Sequence, residues 1–143
     1  MSEQDNIKAA NSLYEACNSG NLKLALPYQA EDYRYEAPGA PAPMNADQSM
    51  AFNQNLLSAF PGSKFKILLT VVQGDYVVTN WTITGKNTGT LHSPSGAAIP
   101  PTGKTSTITG STTVQLRNGK AVHVWTYWDM ASMLSQLGLM PPM

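Results

Sequence analysis

The chain has 143 residues, a formal net charge of +0 at pH 7 and a charged fraction of 13%. Nucleic acids and anionic membranes attract proteins through positive charge, so this balance argues against either as the main partner. The length suits one domain, which we expect over residues 1–143, because such a chain buries roughly 68–70% of its unfolded surface.

The redox and targeting features of the chain are sparse. Cys17 is the only cysteine, which excludes an intrachain disulfide, and we expect it to be an inert core residue. The N-terminal segment MSEQDNIKAANS is acidic and polar and does not resemble an export signal. No apolar run approaches the roughly 20 residues of a membrane span. We therefore expect a soluble cytoplasmic protein.

The first half of the chain is predicted to be mainly helical. Apolar residues at three- and four-residue spacing predict a first helix over Gln4–Ser19. A short helix, Leu22–Leu26, follows, and a longer one covers Asn45–Phe60, where Asn45 and Gln48 form a capping-box pattern. The apolar faces of the two long helices contain Ile7, Ala10, Tyr14 and Cys17 in the first, and Phe52, Leu56 and Phe60 in the second.

The second half alternates like β-structure and ends in a short helix, Met130–Leu137. The predicted strands are Glu31–Glu36, Lys64–Gln73, Tyr76–Thr84, Lys104–Arg117 and Ala121–Trp128. Between the third and fourth of these, Gly89–Gly103 is rich in Gly, Pro and Ser and is predicted to be a loop. Helices followed by hairpin-connected strands indicate an α+β fold, with helices packed on one face of an antiparallel sheet.

Alternation also predicts which side chains share a face of each strand. One face of the second predicted strand contains Phe65, Ile67, Leu69 and Val71. One face of the third contains Val77, Thr79, Trp81 and Ile83. The last strand has one face with Val122, Val124, Thr126 and Trp128, which we interpret as packing residues. Its other face has His123, Trp125, Tyr127 and Asp129, and we expect these rings and polar groups to line a small-molecule pocket.

Several segments resemble the SnoaL-like polyketide cyclase family, a member of the NTF2-like superfamily. They read FPG, QGDYVVTNWTITGKNTGTL, IPPTGK and VQLRNGKAVHVWTYWDMASMLSQLGL. The resemblance implies an NTF2-like α+β cone, with N-terminal helices packed on a strongly curved antiparallel or mixed sheet that encloses a pocket. It also implies a homodimer through the sheet, a small hydrophobic ligand and no metal or cofactor. Members of the family close the last ring of an aromatic polyketide ester by intramolecular aldol condensation.

The chain departs from the family pattern at polar positions. Glu36 stands where the family often has a pocket histidine, Asn80 where an arginine is common and Asn87 where a histidine is common. His123 occupies a position that is more usually acidic, and residues 92–98 form an insertion. The polar set of the pocket is therefore expected to differ from that of the characterised members.

Three residues are candidates for acid/base chemistry. By resemblance, Asp129 corresponds to the general acid/base of the family, and partial burial would bring its pKa toward working pH. The alternative is that Asp129 caps the helix that follows it. Glu36 is either a second carboxylate that faces Asp129 across the cavity or a solvated strand-end residue. His123 is either a base or hydrogen-bonding group for the substrate or a structural histidine.

Other candidates would bind the substrate. The expected polar partners are Asn80 and Asn87, and the expected walls are Trp81, Trp125, Tyr127, Tyr14, Tyr35, Phe52 and Phe60. The aromatic residues could equally be core residues, and the two roles are compatible in a cone. The two histidines are far apart and there is no cysteine cluster, so zinc-ligand spacing is absent.

Three functions fit these observations. The first is a cyclase- or isomerase-type enzyme acting on a small hydrophobic carbonyl or polyketide-like compound. The second is a non-catalytic ligand-binding or assembly module with the same fold. The third is an epoxide-hydrolase-like enzyme, against which the absence of an arginine near Asn80 counts.

Overall fold

The computed structural model describes residues 2–93 and 96–140. Its helices are α1 (Glu3–Ser19), α2 (Ala46–Ala59), α3 (Met130–Gln136) and a 3₁₀ helix over Leu22–Tyr28. The predicted capping box at the start of α2 is present, because the Asn45 side chain accepts from the Gln48 amide and the Gln48 side chain accepts from the Asn45 amide. No helix in the described ranges is long and apolar enough to cross a membrane.

The strands of the described residues form two sheets. They are β1 (Gln29–Glu36), β2 (Lys64–Gln73), β3 (Tyr76–Lys86), β4 (Leu91–His92), β5 (Ala98–Ile99), β6 (Thr105–Arg117) and β7 (Lys120–Trp128). The larger sheet has the order β1-β7-β6-β3-β2, and β4 pairs with β5 in a small hairpin. Only the β1–β7 pair of the larger sheet is parallel, so this sheet is mixed. The small hairpin lies inside the segment that was predicted to be a loop.

The helices pack against the concave face of the larger sheet. Ala9 and Ala10 of α1 join a buried cluster with Val77, Val114 and Val124, which come from three adjacent strands. A second buried cluster links the end of α2 to α3 and consists of Ala59, Phe60, Leu91, Ile108, Met133 and Leu137. The result is the predicted α+β cone, in which helices cover one face of a curved sheet.

One prediction about side-chain direction in β2 is wrong. The register between β2 and β3 shifts between Ile67 and Leu69, so the strand contains a bulge. Ile67 pairs with Trp81, whose side chain is buried, whereas Leu69 pairs with Asn80 and is exposed. The bulge therefore turns Leu69 and Val71 onto the opposite face from Phe65 and Ile67.

Candidate functional site

The concave face of the sheet and the helices enclose a cavity of about 110 Å³. The helical walls come from α1 and α2 and are mostly apolar. Those of α1 are Ala10, Leu13, Tyr14 and Cys17, and those of α2 are Phe52, Asn53, Leu56 and Leu57. Because the apolar positions of both helices recur at helical spacing, each helix can turn one continuous stripe toward this space.

The sheet supplies the opposite wall. Strand β3 contributes Trp81, Ile83 and Gly85, while β7 contributes Thr126 and Trp128. The remaining strand and loop contributions are Tyr35, Phe60, Ser63, Phe65, Ser106, Ile108 and Thr112, and Met133 of α3 closes the lining. The cavity is therefore mostly apolar and aromatic, which is the usual character of a small-molecule site.

A group of hydroxyls forms the polar part of this wall. The Tyr14 hydroxyl lies 2.5 Å from Thr79 Oγ1, and the indole Nε1 of Trp81 donates to Thr112 Oγ1 at 2.9 Å. Thr112 Oγ1 lies 3.3 Å from Thr126 Oγ1. We call these five side chains (Tyr14, Thr79, Trp81, Thr112 and Thr126) the hydroxyl cluster. The cluster gives an otherwise apolar cavity one region that can recognise an oxygen atom of a ligand.

Burial keeps the titratable groups of the cavity neutral. Desolvation raises the pKa of Tyr14, and hydrogen bonds with Thr112 and Thr79 only partly oppose this. Desolvation also raises the pKa of Tyr35 to about 12, although Thr126 and Asn53 oppose it by hydrogen bonding. Burial raises the pKa of the Cys17 thiol to about 12. At neutral pH the Tyr14 and Tyr35 hydroxyls are therefore available as proton donors in hydrogen bonds.

The prediction for β7 assigned the two faces the wrong way round. Thr126 and Trp128, which were interpreted as packing residues, line the cavity, whereas Tyr127 is 63% exposed. The register explains this reversal, because Thr126 pairs with the buried Thr112 and Trp125 pairs with Thr113 on the opposite face. The face with His123, Trp125 and Tyr127 was predicted to be enclosed because its rings are large. Ring size alone does not show which face of a strand is enclosed.

Asp129 lies outside the cavity. Its side chain accepts a hydrogen bond from the Ser132 amide at 2.9 Å and is the N-cap of α3, and the residue is exposed. The expectation that this carboxylate points into an apolar chamber is therefore wrong, and the capping alternative describes its position.

Glu36 and His123 are brought together, but on the outer face of the sheet. His123 Nε2 lies 2.6 Å from Glu36 Oε2, and the His123 ring stacks on Trp125 with centroids 3.9 Å apart and planes inclined by 6°. The two strands carry these side chains side by side because Glu36 pairs with Trp125 in the parallel β1–β7 register. The expectation that Glu36 faces Asp129 across the cavity is wrong, since neither residue lines it.

The two asparagine candidates also lie away from the cavity. Asn80 is exposed on the outer face of β3. Asn87 is 1% exposed, and its side chain donates to the carbonyl oxygens of Ala59 and Gly89 and accepts from Thr102. Through these hydrogen bonds, Asn87 therefore connects the two ends of the segment that contains β4 and β5 to the end of α2.

Of the proposed substrate-binding residues, Tyr14, Tyr35, Phe52, Phe60 and Trp81 line the cavity, whereas Trp125 and Tyr127 do not. The sequence reasoning missed Thr112, Thr126 and Asn53. Alternation alone places Thr79, the partner of the Tyr14 hydroxyl, on the same face as Trp81, so one buried hydroxyl was detectable on β3. Within residues 2–93 and 96–140, no group of three or more His, Cys, Asp or Glu side chains could hold a metal ion.

The fold and the enclosed cavity define the class of protein as an NTF2-like α+β cone with an apolar pocket. The chain belongs to the SnoaL-like polyketide cyclase family, whose family model matches residues 8–137. No curated protein sequence matches the chain.

Solved structures show the same fold over nearly the whole chain. AclR from Streptomyces galilaeus is similar with a TM-score of 0.84 and 18% identity, over 99% of this chain and 89% of AclR. A SnoaL-like protein from Jannaschia sp. CCS1 has a TM-score of 0.83 and 20% identity, over 98% of this chain and 95% of that one. IdmH from Streptomyces antibioticus, a candidate polyketide cyclase, has a TM-score of 0.76 and 29% identity, over 93% of this chain and 98% of IdmH.

Proposed function

We propose that this protein binds a small hydrophobic carbonyl compound in the interior cavity and promotes cofactor-free ring closure of the cyclase or isomerase type. The observation that carries this proposal is the hydroxyl cluster, which places buried hydroxyls against a mostly apolar, aromatic cavity. Membership of the SnoaL-like polyketide cyclase family supports the same class of function.

In this mechanism the cavity acts by folding the substrate and by stabilising negative charge on its oxygen. A proton leaves the carbon next to a carbonyl, the enolate carbon bonds to a second carbonyl carbon of the same molecule, and the oxygen of that carbonyl is protonated. Loss of this hydroxyl, together with a second proton from the carbon next to the first carbonyl, releases water and leaves the enone. The Tyr14 hydroxyl donates to the oxygen on which charge develops, and such donors each contribute roughly 10²–10³ in rate in other enzymes. Apolar walls that hold the chain folded make the two reacting carbons neighbours.

The proton acceptor in this proposal is a hydroxide ion from the solvent rather than a carboxylate. Among the described residues that line the cavity there is no Asp, Glu, His, Lys or Arg. Asp129, Glu36 and His123 all lie outside it. We propose that a hydroxide ion takes the carbon proton, so the initial rate rises with pH through the neutral range instead of levelling off above the pKa of a carboxylate.

The absence of a charged side chain among the described residues of the cavity lining also supports a second candidate, a non-catalytic ligand-binding module. A cavity without a basic side chain can bind a neutral oxygen-containing ring through the hydroxyl cluster and release it unchanged. The epoxide-hydrolase alternative lacks support, because the described cavity lining contains neither the aspartates nor the arginine that this chemistry uses.

Turnover distinguishes the two candidates. The probe is a linear diketone that closes by aldol condensation to a single six-membered cyclohexenone, whose absorbance reports the rate. We expect the wild-type protein to accelerate closure, Tyr14→Phe to lower the rate at least tenfold, and the triple variant Glu36→Gln, His123→Asn, Asp129→Asn to remain within about twofold of wild type. Binding of the diketone without acceleration of ring closure would establish the non-catalytic ligand-binding module instead. Loss of activity in the triple variant would show that residues outside the cavity are catalytic.

We further propose a homodimer through the outer face of the larger sheet. Three exposed apolar side chains lie on this face, Leu69 and Val71 on β2 and Tyr127 on β7. Exposed apolar patches of this kind are typical of protein interfaces. The stacked Glu36, His123 and Trp125 group lies on the same face and would form part of its polar rim.

A further inference from the structure

The position of the Trp81 ring depends on a glycine in the neighbouring strand. Trp81 pairs with Gly110, and a Cβ atom added at Gly110 would lie 2.4 Å from both Cζ2 and Cη2 of Trp81. It would also lie 2.8 Å from the backbone oxygen of Tyr127. Glycine inside a strand costs roughly 0.5–1 kcal/mol relative to alanine and often marks a close approach of another group. Here the approaching group is the six-membered part of the indole.

Two further contacts fix the indole in that position. Its Nε1 donates to Thr112 Oγ1 at 2.9 Å, two residues along β6 from Gly110. The ring of Phe65 meets it edge-on, with centroids 5.0 Å apart and planes inclined by 79°. Trp81 is 3% exposed. The indole is therefore pressed against β6, and a side chain at residue 110 would force it toward the interior space.

A second glycine has the same relation to another aromatic wall. A Cβ atom at Gly85 would lie 2.8 Å from Ser63 Cβ and 3.2 Å from Phe60 Cβ. Phe60, Trp81 and Gly85 all line the cavity. The missing Cβ atoms at Gly110 and Gly85 thus let Trp81, Ser63 and Phe60 lie close against the sheet, and the cavity still has only about 110 Å³.

This volume is small for a ligand site. An engineered cavity of roughly 150 Å³ binds benzene, whereas pockets for drug-sized ligands measure roughly 300–1,000 Å³. We infer that the cavity accepts one six-membered ring carrying a phenolic or carbonyl oxygen, and that the Gly110–Trp81 contact sets this limit. The inference rests on the proposed function, since it assigns a substrate class to the same cavity. The oxygen faces the hydroxyl cluster, and the ring lies among the apolar walls.

The test is a series of ligands of increasing size, phenol, a naphthol and a phenanthrol, titrated by calorimetry. Affinity normally rises with apolar area at roughly 25 cal/mol per Å². We expect the wild-type protein to show the opposite order, with the naphthol bound at least tenfold more weakly than phenol. Trp81→Leu, which removes the indole, should make the naphthol the tighter ligand.

Variants at the glycine test the contact itself. We expect Gly110→Ala to weaken phenol binding at least tenfold, because the displaced indole occupies the cavity. Gly110→Ala with Trp81→Leu should regain part of this affinity, since the contact with the Tyr127 backbone oxygen remains. Ser111→Ala, on the outer face of the same strand beside Tyr127, is the matched control and should bind like wild type. If Gly110→Ala fails to fold by circular dichroism, the comparison between wild type and Trp81→Leu decides the inference.

The outcomes separate this inference from the proposed function. A wild-type protein that binds the naphthol or phenanthrol as tightly as phenol overturns the one-ring limit and leaves the proposed function intact. A ligand order that Trp81→Leu does not change removes the role of the Gly110–Trp81 contact. A folded wild-type protein that binds none of the three compounds, nor the linear diketone, overturns both proposals.

Discussion

The hydroxyl of Tyr14 on α1 lies 2.5 Å from the hydroxyl of Thr79 on β3, so the main helix and the centre of the sheet meet through a buried polar contact. Both residues are almost fully buried, and desolvation raises the pKa of Tyr14 although hydrogen bonds with Thr112 and Thr79 oppose the rise. A polar contact at this depth is costly unless each member finds a partner. It therefore links the stability of the cone to the hydroxyl cluster beside the cavity.

Tyr14→Phe should weaken both folding and ligand binding. The change leaves the Thr79 hydroxyl without its phenol partner, and an unpaired buried group costs about 1–3 kcal/mol in the free energy of unfolding. Phenol affinity should fall about tenfold, because the donor to the ligand oxygen is lost. Urea unfolding and calorimetry measure the two effects. The control is Tyr127→Phe, which removes an exposed hydroxyl on the outer face and should change neither quantity.

Substitutions of Asp129 should affect α3 and not the chemistry. Asp129→Ala removes the acceptor for the Ser132 amide and should lower the free energy of unfolding by about 0.5–2 kcal/mol. Asp129→Asn keeps a favoured N-cap and should be close to wild type in stability. Both variants should close the linear diketone at the wild-type rate. Selective loss of that activity in Asp129→Asn, with stability unchanged, would restore the carboxylate as a catalyst.

Stability should fall in alkaline solution. The pKa values of Cys17 and Tyr35 are raised by burial from 9.0 and 10.0 to about 12, so each group stays protonated in the folded protein while the unfolded chain ionises. The unfolded state then binds fewer protons, and the free energy of unfolding decreases by on the order of 1 kcal/mol per pH unit per group. The full contribution is present below pH 9 and is lost between pH 9 and 12.

Urea titrations between pH 8 and 11 measure this slope. Cys17→Ala should reduce the decline between pH 9 and 10, where only the thiol of this pair begins to ionise in the unfolded chain. Leu13→Ala is the control, because it lies on the same cavity wall and lowers stability without removing a titratable group. A Cys17→Ala protein with the wild-type slope would refute the burial of the thiol.

The outer face of the sheet should form the homodimer interface. Leu69→Asp introduces a charge at an exposed apolar position of that face and should convert the dimer to a monomer in light scattering. Leu24→Asp is the matched control, because Leu24 is exposed to nearly the same extent, 52% against 54%, but lies in the 3₁₀ helix. A monomeric wild-type mass would refute the proposed dimer, and an equal effect of both variants would locate the interface elsewhere.

The fold was predictable from the chain because its signals are local. Apolar spacing set the helices, Asn45 and Gln48 set the start of α2, and Asn118 and Gly119 adopt the positive φ angles expected at the β6–β7 turn. The cavity side of β7 was not predictable in this way. Both faces of β7 contain large apolar residues, and the enclosed face depends on its pairing with Thr112, a contact between strands.

The polar candidates show the same limit. A sequence position shows that Asp129 precedes a helix, but not whether its carboxylate turns toward the Ser132 amide or toward the cavity. Asn87 is a buried polar residue with a structural role, since its side chain forms hydrogen bonds with Ala59, Gly89 and Thr102. The bulge in β2 likewise interrupts the alternation of side chains between the two faces, which a prediction from one strand alone assumes. The burial of Asn87 and the bulge depend on contacts between distant parts of the chain, which residue spacing does not encode.

The most direct measurement is a crystal structure of the wild-type protein soaked with phenol. The account predicts the phenol ring inside the cavity, between α1 and β3, with its oxygen within hydrogen-bonding distance of Tyr14 or Thr112. Phenol bound instead beside Glu36 and His123 on the outer face, with none inside the cavity, would contradict it.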